Sequence, residues 1–185
     1  MALLQINFYS ETLHRKVPVQ VILPTDVSPG NTEPYKTLYL LHGLTENCMA
    51  WTSNTRIERW ATERNLAVVM PSGENSFYVD HPFGSSCFGD FGAYIGQELV
   101  EMTRKMFRLS TDRADTFIAG LSMGGFGALR NGLKYHETFG YIACLSGAIH
   151  IFEYPFDDPD RNIIGEDACF GDIRAAALTD KNPRV

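Results

Sequence analysis

A serine set between glycines is the stretch of this sequence best suited to do chemistry. Residues 120–124 read Gly-Leu-Ser-Met-Gly, after a short apolar run at 116–119 and before a segment with helical character. A serine at such a strand-to-helix turn projects from the end of a sheet, and the first helix amides point toward the group that it attacks. The pattern therefore predicts Ser122 as the nucleophile of an acyl-transfer reaction such as ester hydrolysis.

An attacked carbonyl develops negative charge on its oxygen, and two backbone amides are predicted to stabilise that charge. One is the N–H of Met123, the residue directly after the nucleophile. The other follows the third predicted strand, where residues 42–45 read His-Gly-Leu-Thr, and we assign it to Leu44. His42 itself is expected to brace this loop by hydrogen bonding rather than to act as a general base.

Two histidines follow Ser122 and are the candidates for a general base. The predicted helix after Ser122 rises by roughly 18 Å, which places His136 at the opposite edge of the sheet. His150 comes shortly after the next predicted strand, on the correct edge, and is the candidate base; a role as loop residue or pocket wall is the alternative. The acids available to orient it are Asp157, Asp158 and Asp160. This order departs from the serine, acid, histidine order typical of such turns.

The elements that must position these residues alternate between strand and helix patterns. Continuous apolar runs predict buried strands at residues 37–41, 66–70, 116–119 and 141–145, after two N-terminal strands at 5–9 and 17–23. Apolar residues at helical spacing predict helices at 56–64 and 95–106 and a short one within 166–180. The alternation predicts one α/β domain over residues 1–185, with a mainly parallel sheet flanked by helices.

Ligands of parallel α/β sheets bind beyond the carboxyl ends of the strands. The features that fall at that edge are residues 42–44, 71–73, Ser122 and residues 146–147. Their convergence predicts a single site there.

Charge and composition exclude several other classes of function. The chain has 185 residues, 44% of them hydrophobic, and a net charge of −6 from 16 basic and 22 acidic residues. Because no long basic run is present to replace the counterions of a phosphate backbone, no nucleic-acid partner is expected. No apolar stretch approaches the roughly 20 residues of a membrane span, so no membrane partner is expected.

The four cysteines lie far apart, without the paired spacing of a zinc site; they are Cys48, Cys87, Cys144 and Cys169. Thiols in a reducing compartment are the simplest interpretation, which predicts a cytoplasmic protein. Neither a metal nor a cofactor is expected.

Five motifs in order, spread over nearly the whole chain, resemble the tributyrin esterase family. They are residues 40–47 (LLHGLTEN), 71–78 (PSGENSFY), 94–99 (YIGQEL), 120–125 (GLSMGG) and 145–147 (LSG). This family is a branch of the esterase D-like α/β-hydrolases, which also include S-formylglutathione hydrolases and feruloyl esterases.

The resemblance implies an α/β-hydrolase fold and a cytosolic carboxylesterase that cleaves short acyl esters, small-molecule substrates, without a cofactor. It carries over Ser122 as nucleophile and the amides of Leu44 and Met123 as oxyanion donors. Hydrolysis of S-formylglutathione or of feruloyl esters is the close alternative, because the same groups would serve. Phe77 and Tyr78, in the aromatic loop after the strand at 66–70, are expected to border the substrate pocket, with plain core packing as the alternative.

The sequence shows no further strand pattern after residues 141–145. Family members are longer, and their acid and histidine follow the position at which this sequence stops, Val185. We therefore expect a fragment that lacks the last strands of the fold and has little activity by itself; an inactive binding module is the alternative. The strand at 141–145 would be an exposed edge, through which self-association is expected.

Overall fold

The computed structural model describes residues 1–26, 33–81, 88–153 and 169–185. Its strands are β1 (Ala2–Ser10), β2 (Arg15–Leu23), β3 (Lys36–Leu41), β4 (Leu66–Pro71), β5 (Asp80–His81), β6 (Gly89–Asp90), β7 (Thr116–Leu121) and β8 (Tyr141–Leu145). A six-stranded sheet has the order β1-β2-β4-β3-β7-β8, and β5 and β6 form a separate antiparallel pair. The last two are too short to show any alternation of polar and apolar residues, so they were not predicted from the sequence.

The main sheet is antiparallel on one side and parallel on the other. β2 pairs antiparallel with β1 and β4, whereas β3 pairs parallel with β4 and β7, and β7 pairs parallel with β8. The prediction of a mainly parallel α/β sheet is confirmed. The carboxyl ends of β3, β4, β7 and β8 meet at one edge, which is where the sequence placed the candidate site. Pro18, which has no backbone N–H, lies one strand in from the sheet edge, before the β2–β4 pairing begins at Val19.

Helices pack on both faces of this sheet. The segments α1 (Ala50–Asn54) and α2 (Ile57–Glu63) connect β3 to β4. The helix α3 (Phe91–Ala93) continues through π-helical turns at Tyr94–Glu98 into α4 (Leu99–Met106), so the helix predicted at 95–106 is present with a π-helical beginning. The helix α5 (Met123–Lys134) follows β7, and α6 (Ile173–Ala176) lies within 166–180, where a short helix was predicted.

The core consists of two apolar layers, one on each face of the central strands. Alternate residues of β3 point to opposite layers: Tyr39 and Leu41 join the larger cluster with α4 and α5, whereas Leu40 joins the smaller cluster with α2. The same alternation separates Val69 from Val68 in β4. Burial on both faces explains why these strands are continuous apolar runs in the sequence.

A buried arginine fastens α5 to two other segments. Arg130 is 2% exposed, and its guanidinium lies 3.5 Å from Asp80 and 3.0 Å from Asp180. Lys134 contacts the same two carboxylates, and Asp80 also accepts a hydrogen bond of 2.7 Å from the Gly92 N–H. This ion cluster therefore joins α5, the start of α3 and the segment around Asp180. The sequence pattern of α5 did not reveal it, because a charged residue at that position is ordinarily assigned to the solvent face.

We expect Arg130→Met to lower the free energy of unfolding by about 2 kcal/mol, because the carboxylate partners lose their buried counter-charge. Their partial exposure keeps the loss below that of a fully buried pair. Urea unfolding measures the change. Arg59→Met in α2 is the matched control, since the Arg59–Glu63 pair is exposed and should contribute nothing measurable. Equal effects of the two substitutions would contradict a role for the cluster in stability.

Candidate active site

Ser122 lies between β7 and α5 in a backbone conformation that serine rarely adopts. Its φ is 81° and its ψ is −107°, and such conformations cost roughly 1–3 kcal/mol. The turn is tight enough to exclude side chains on both sides of the serine: a Cβ on Gly120 would lie 2.2 Å from the Gly124 carbonyl oxygen, and one on Gly124 would lie 2.4 Å from that of Leu41. The glycines in the sequence pattern are therefore required by the backbone that surrounds the serine.

Hydrogen bonds from β8 and the turn after it hold this strained residue. The Ser122 N–H donates to the Leu145 carbonyl at 3.0 Å, and the Ser122 carbonyl accepts from the N–H groups of Phe126 at 2.9 Å and Ala148 at 3.1 Å. Because these partners belong to α5, β8 and the following turn, the conformation of Ser122 depends on all three.

The two predicted oxyanion donors belong to segments that adjoin Ser122. Met123 is the first residue of α5, and the first amides of a helix have no acceptor within the helix. Leu44 lines the same cavity as Ser122, and a Cβ placed on the preceding Gly43 would lie 3.9 Å from that of Ser122. The loop after β3 thus runs directly beside the serine, as the proposed roles of Leu44 and Met123 require.

His42 braces this loop with both of its ring nitrogens. Nε2 accepts a hydrogen bond of 2.8 Å from the Gly73 N–H, which leaves Nδ1 to donate to the Gly43 carbonyl at 2.6 Å. The side chain is buried, and this burial lowers the pKa of His42 below its ordinary value. The prediction that His42 supports the loop is confirmed, because a ring with both nitrogens engaged has none left to take a proton from Ser122.

Asn75 is a further support of the same loop that the sequence analysis missed. Thr45 has a φ of 63°, and its N–H donates to the Asn75 side-chain oxygen at 2.8 Å. Asn75 lies in the loop after β4, so its position just beyond a buried strand at the predicted edge was the available signal. Together with the His42–Gly73 bond, this contact fixes the loop after β3 to the loop after β4.

Phe77 and Tyr78 are core residues, which corrects their expected place at the substrate pocket. Neither is exposed, and both belong to the larger apolar cluster. The Tyr78 hydroxyl donates to the His42 carbonyl at 3.0 Å, and burial raises the pKa of Tyr78 well above its ordinary value. Both residues have positive φ, 51° and 56°, so the backbone turns their rings inward, which the sequence could not show.

His150 is not brought to the nucleophile. Its ring is 67% exposed and lies 3.0 Å from the Glu153 carboxylate, which also contacts Arg184. No hydrogen bond joins His150 to Ser122 in the described part of the chain, and the aspartates at 157, 158 and 160 lie outside it. His136 is exposed beside Glu137, as predicted from the length of α5.

A cavity of about 320 Å³ opens beside Ser122. Its walls come from the loop after β3, from α1 with the following Thr55, and from Leu121 at the end of β7. Trp51 of α1 forms part of this wall; neither this residue nor the helix that carries it was predicted from the sequence. Among the residues described, no group of three or more histidine, cysteine, aspartate or glutamate side chains is arranged to hold a metal ion. No helix in those ranges is long and apolar enough to cross a membrane.

Comparisons with known proteins agree with this geometry. The Esterase family, described as "Putative esterase", matches residues 10–179. An acetyl esterase of Caldicellulosiruptor saccharolyticus is 42% identical over 193 residues, covering 98% of this chain and 71% of the relative.

Two solved structures from Staphylococcus aureus are each 31% identical and cover 99% of this chain and 71% of their own. The fluorophosphonate-binding serine hydrolase F, with substrate bound, superposes with a TM-score of 0.82, and an S-formylglutathione hydrolase apoenzyme with 0.79. The predicted α/β-hydrolase fold is confirmed, as is the resemblance of the sequence motifs to esterases of this type.

The protein is expected to lose stability as the pH falls below about 6.5, the ordinary histidine pKa. His42 and His81 are both buried, and burial lowers the pKa of each in the folded state. The unfolded chain therefore binds protons first on acidification, so the stability present above pH 6.5 is lost as the pH falls toward the folded-state pKa, by at most about 1.4 kcal/mol per pH unit for each histidine.

Urea unfolding between pH 7.5 and pH 5 measures this slope in the wild type and in His42→Gln, which removes one titrating group and should flatten it. His136→Gln changes an exposed ring and serves as control. If His42→Gln leaves the slope of stability against pH unaltered, His42 does not contribute to the pH dependence.

Proposed function

The chain belongs to the Esterase family and is a serine esterase of the α/β-hydrolase fold, and from that premise we propose that it cleaves short-chain acyl esters through an acyl intermediate on Ser122. The observation that carries the proposal is the position of Ser122. Its strained backbone sets it at the start of α5, beside the loop that contains Leu44. A nucleophile and two flanking amides at one sheet edge is the arrangement that acyl transfer needs.

In the proposed reaction, Ser122 Oγ attacks the ester carbonyl and loses its proton to a general base. The N–H groups of Leu44 and Met123 stabilise the oxyanion of the tetrahedral intermediate. The bond to the alcohol oxygen then breaks, the alcohol leaves with a proton, and water releases the acid from the acyl-serine. The base has no candidate in contact with Ser122 among the side chains that the structure describes.

The proposed substrates are small, uncharged esters with short acyl groups, such as acetates and tributyrin. The 42% identity to an acetyl esterase supports this class. Hydrolysis of S-formylglutathione is the second candidate, supported by the 31% identity to the Staphylococcus aureus enzyme, and feruloyl ester cleavage is a third.

We further propose that residues 1–185 act as one domain and that the protein is cytoplasmic. The location rests on the wide spacing of the cysteines, which is typical of a reducing compartment.

Ser122→Ala is expected to reduce hydrolysis of p-nitrophenyl acetate and of tributyrin by at least about a thousandfold, leaving only the rate due to binding and oxyanion stabilisation. Steady-state rates measure the change, and labelling by a fluorophosphonate probe should disappear with it. Ser53→Ala, an exposed serine of α1, is the matched control and should retain the wild-type rate. Wild-type activity in Ser122→Ala would refute the nucleophile assignment.

The outer edge of β8 is the surface through which we propose that the chain self-associates. β8 pairs with β7 on one side, and no strand of the described chain pairs with its other side. Tyr141 is 63% exposed and Leu145 45% exposed, although these residues are of types that usually lie inside. Unpaired backbone groups beside exposed apolar side chains are a template for a strand from a second copy.

Light scattering at increasing protein concentration is expected to show a mass above that of the monomer. Ala143→Lys, which places a charge at the middle of β8, should shift the protein toward monomer. Leu178→Lys, at an exposed position outside the sheet, adds the same charge and should have no effect. A wild-type monomer at high concentration would contradict the proposal.

A further inference from the structure

We propose that the cavity beside Ser122 receives the acyl group of the substrate and that the indole of Trp51 sets the longest acyl chain it accepts. The inference rests on the proposed ester hydrolysis and names the part of that site which determines specificity.

The cavity adjoins the reacting atoms and is small. Ser122 and Leu44 contribute to its wall, so a carbonyl bound between the nucleophile and the oxyanion donors has one of its two substituents directed into it. The volume of about 320 Å³ is near the lower end of the usual range for ligand sites, about 300–1,000 Å³. A short chain fits such a space, whereas a long chain must displace a wall.

Apolar side chains form much of the cavity wall, which suits the cavity to a hydrocarbon chain. Leu44, Ala50, Trp51 and Leu121 lie in this wall beside Ser122. Burial of an alkyl group against such a wall removes apolar surface from water, and on this basis the cavity is assigned to the acyl chain of the ester.

Trp51 is a fixed wall of this cavity rather than a movable one. Its indole N–H donates to the Leu41 carbonyl at 3.2 Å, and its ring packs against the smaller apolar cluster. Its own carbonyl accepts the Thr55 hydroxyl at 2.5 Å and the Thr55 N–H at 3.1 Å. Rotating the indole would break a hydrogen bond and uncover apolar surface, so a longer acyl chain cannot push it aside at low cost.

The hydrogen bond to the Leu41 carbonyl fixes the position of the Trp51 indole relative to Ser122. Leu41 ends β3, and its carbonyl oxygen is the same atom that prevents a side chain at Gly124 in the turn of the nucleophile. The indole is therefore bonded to the same backbone segment that positions Ser122. The distance from nucleophile to wall is set by these fixed contacts, and it is this distance that limits the chain length.

The test compares the first-turnover release of nitrophenolate from p-nitrophenyl acetate, butyrate, hexanoate and octanoate. Wild type should acylate fastest with the two shorter esters. Trp51→Ala should raise the octanoate-to-acetate rate ratio at least tenfold, since each additional buried methylene is worth about fourfold. Trp60→Ala is the matched control. Trp60 is 45% exposed on α2 and does not line the cavity, so the octanoate-to-acetate rate ratio of this variant should equal that of wild type.

Ala50→Leu makes the cavity smaller instead of larger. It also tests the proposal independently if Trp51→Ala does not fold. Ala50 lines the cavity, so added bulk should lower the butyrate-to-acetate ratio at least threefold. A series of alkyl acetates, from methyl to octyl, varies the alcohol instead and should respond equally in wild type and Trp51→Ala.

If Trp51→Ala instead speeds cleavage of the longer alkyl acetates relative to methyl acetate, the assignment of the cavity to the acyl side is overturned. Unchanged acyl-chain ratios in folded Trp51→Ala and in Ala50→Leu would overturn the role of the wall. A wild-type chain that is not acylated by any ester would count against the proposed function itself, which separates the two failures.

Discussion

The strained backbone of Ser122 is the constraint on which the rest of this structure depends. A φ of 81° is maintained only because neighbouring segments leave the chain no alternative. Three hydrogen bonds, to Leu145, Phe126 and Ala148, tie the residue to β8, to α5 and to the turn after β8. The close approach of Gly124 to the end of β3 adds a steric limit from the other side. The parallel strands are thus needed for chemistry as well as for stability, since they hold the nucleophile in its half-buried position beside the cavity.

A second set of contacts fixes the surroundings of the serine. The loops after β3 and β4 are joined by the His42–Gly73, Thr45–Asn75 and Tyr78–His42 hydrogen bonds. Several of the residues in these loops have positive φ, so each loop stores strain that the other loop offsets through hydrogen bonding. Preorganisation of this kind lets an oxyanion donor act without first rearranging, which is where much of the rate enhancement of such sites arises. The indole of Trp51, bonded to the end of β3, belongs to the same framework.

Prediction from the sequence succeeded where the physical cause is local. Parallel strands buried on both faces are apolar over nearly their whole length, and this made β3, β4, β7 and β8 recognisable with errors of at most two residues at their ends. It failed for Phe77 and Tyr78, whose aromatic rings suit a pocket as well as a core. It also failed to bring His150 to the nucleophile, because the direction of a turn after a strand is decided by its backbone angles.

The amino-acid sequence by itself determined the sheet class, the nucleophile turn and the esterase resemblance, because glycine spacing and apolar periodicity are local requirements of the backbone. Only the tertiary structure decided which side chains surround Ser122. Asn75 and Trp51 reach the site from loops and helices distant in sequence, and Arg130 is buried because two carboxylates from other segments meet it. Such contacts depend on how strands and loops are placed in three dimensions, and no spacing along the chain encodes that placement. The turn that contains Ser122 can therefore be predicted from the sequence, whereas the selectivity of the site around it depends on the fold.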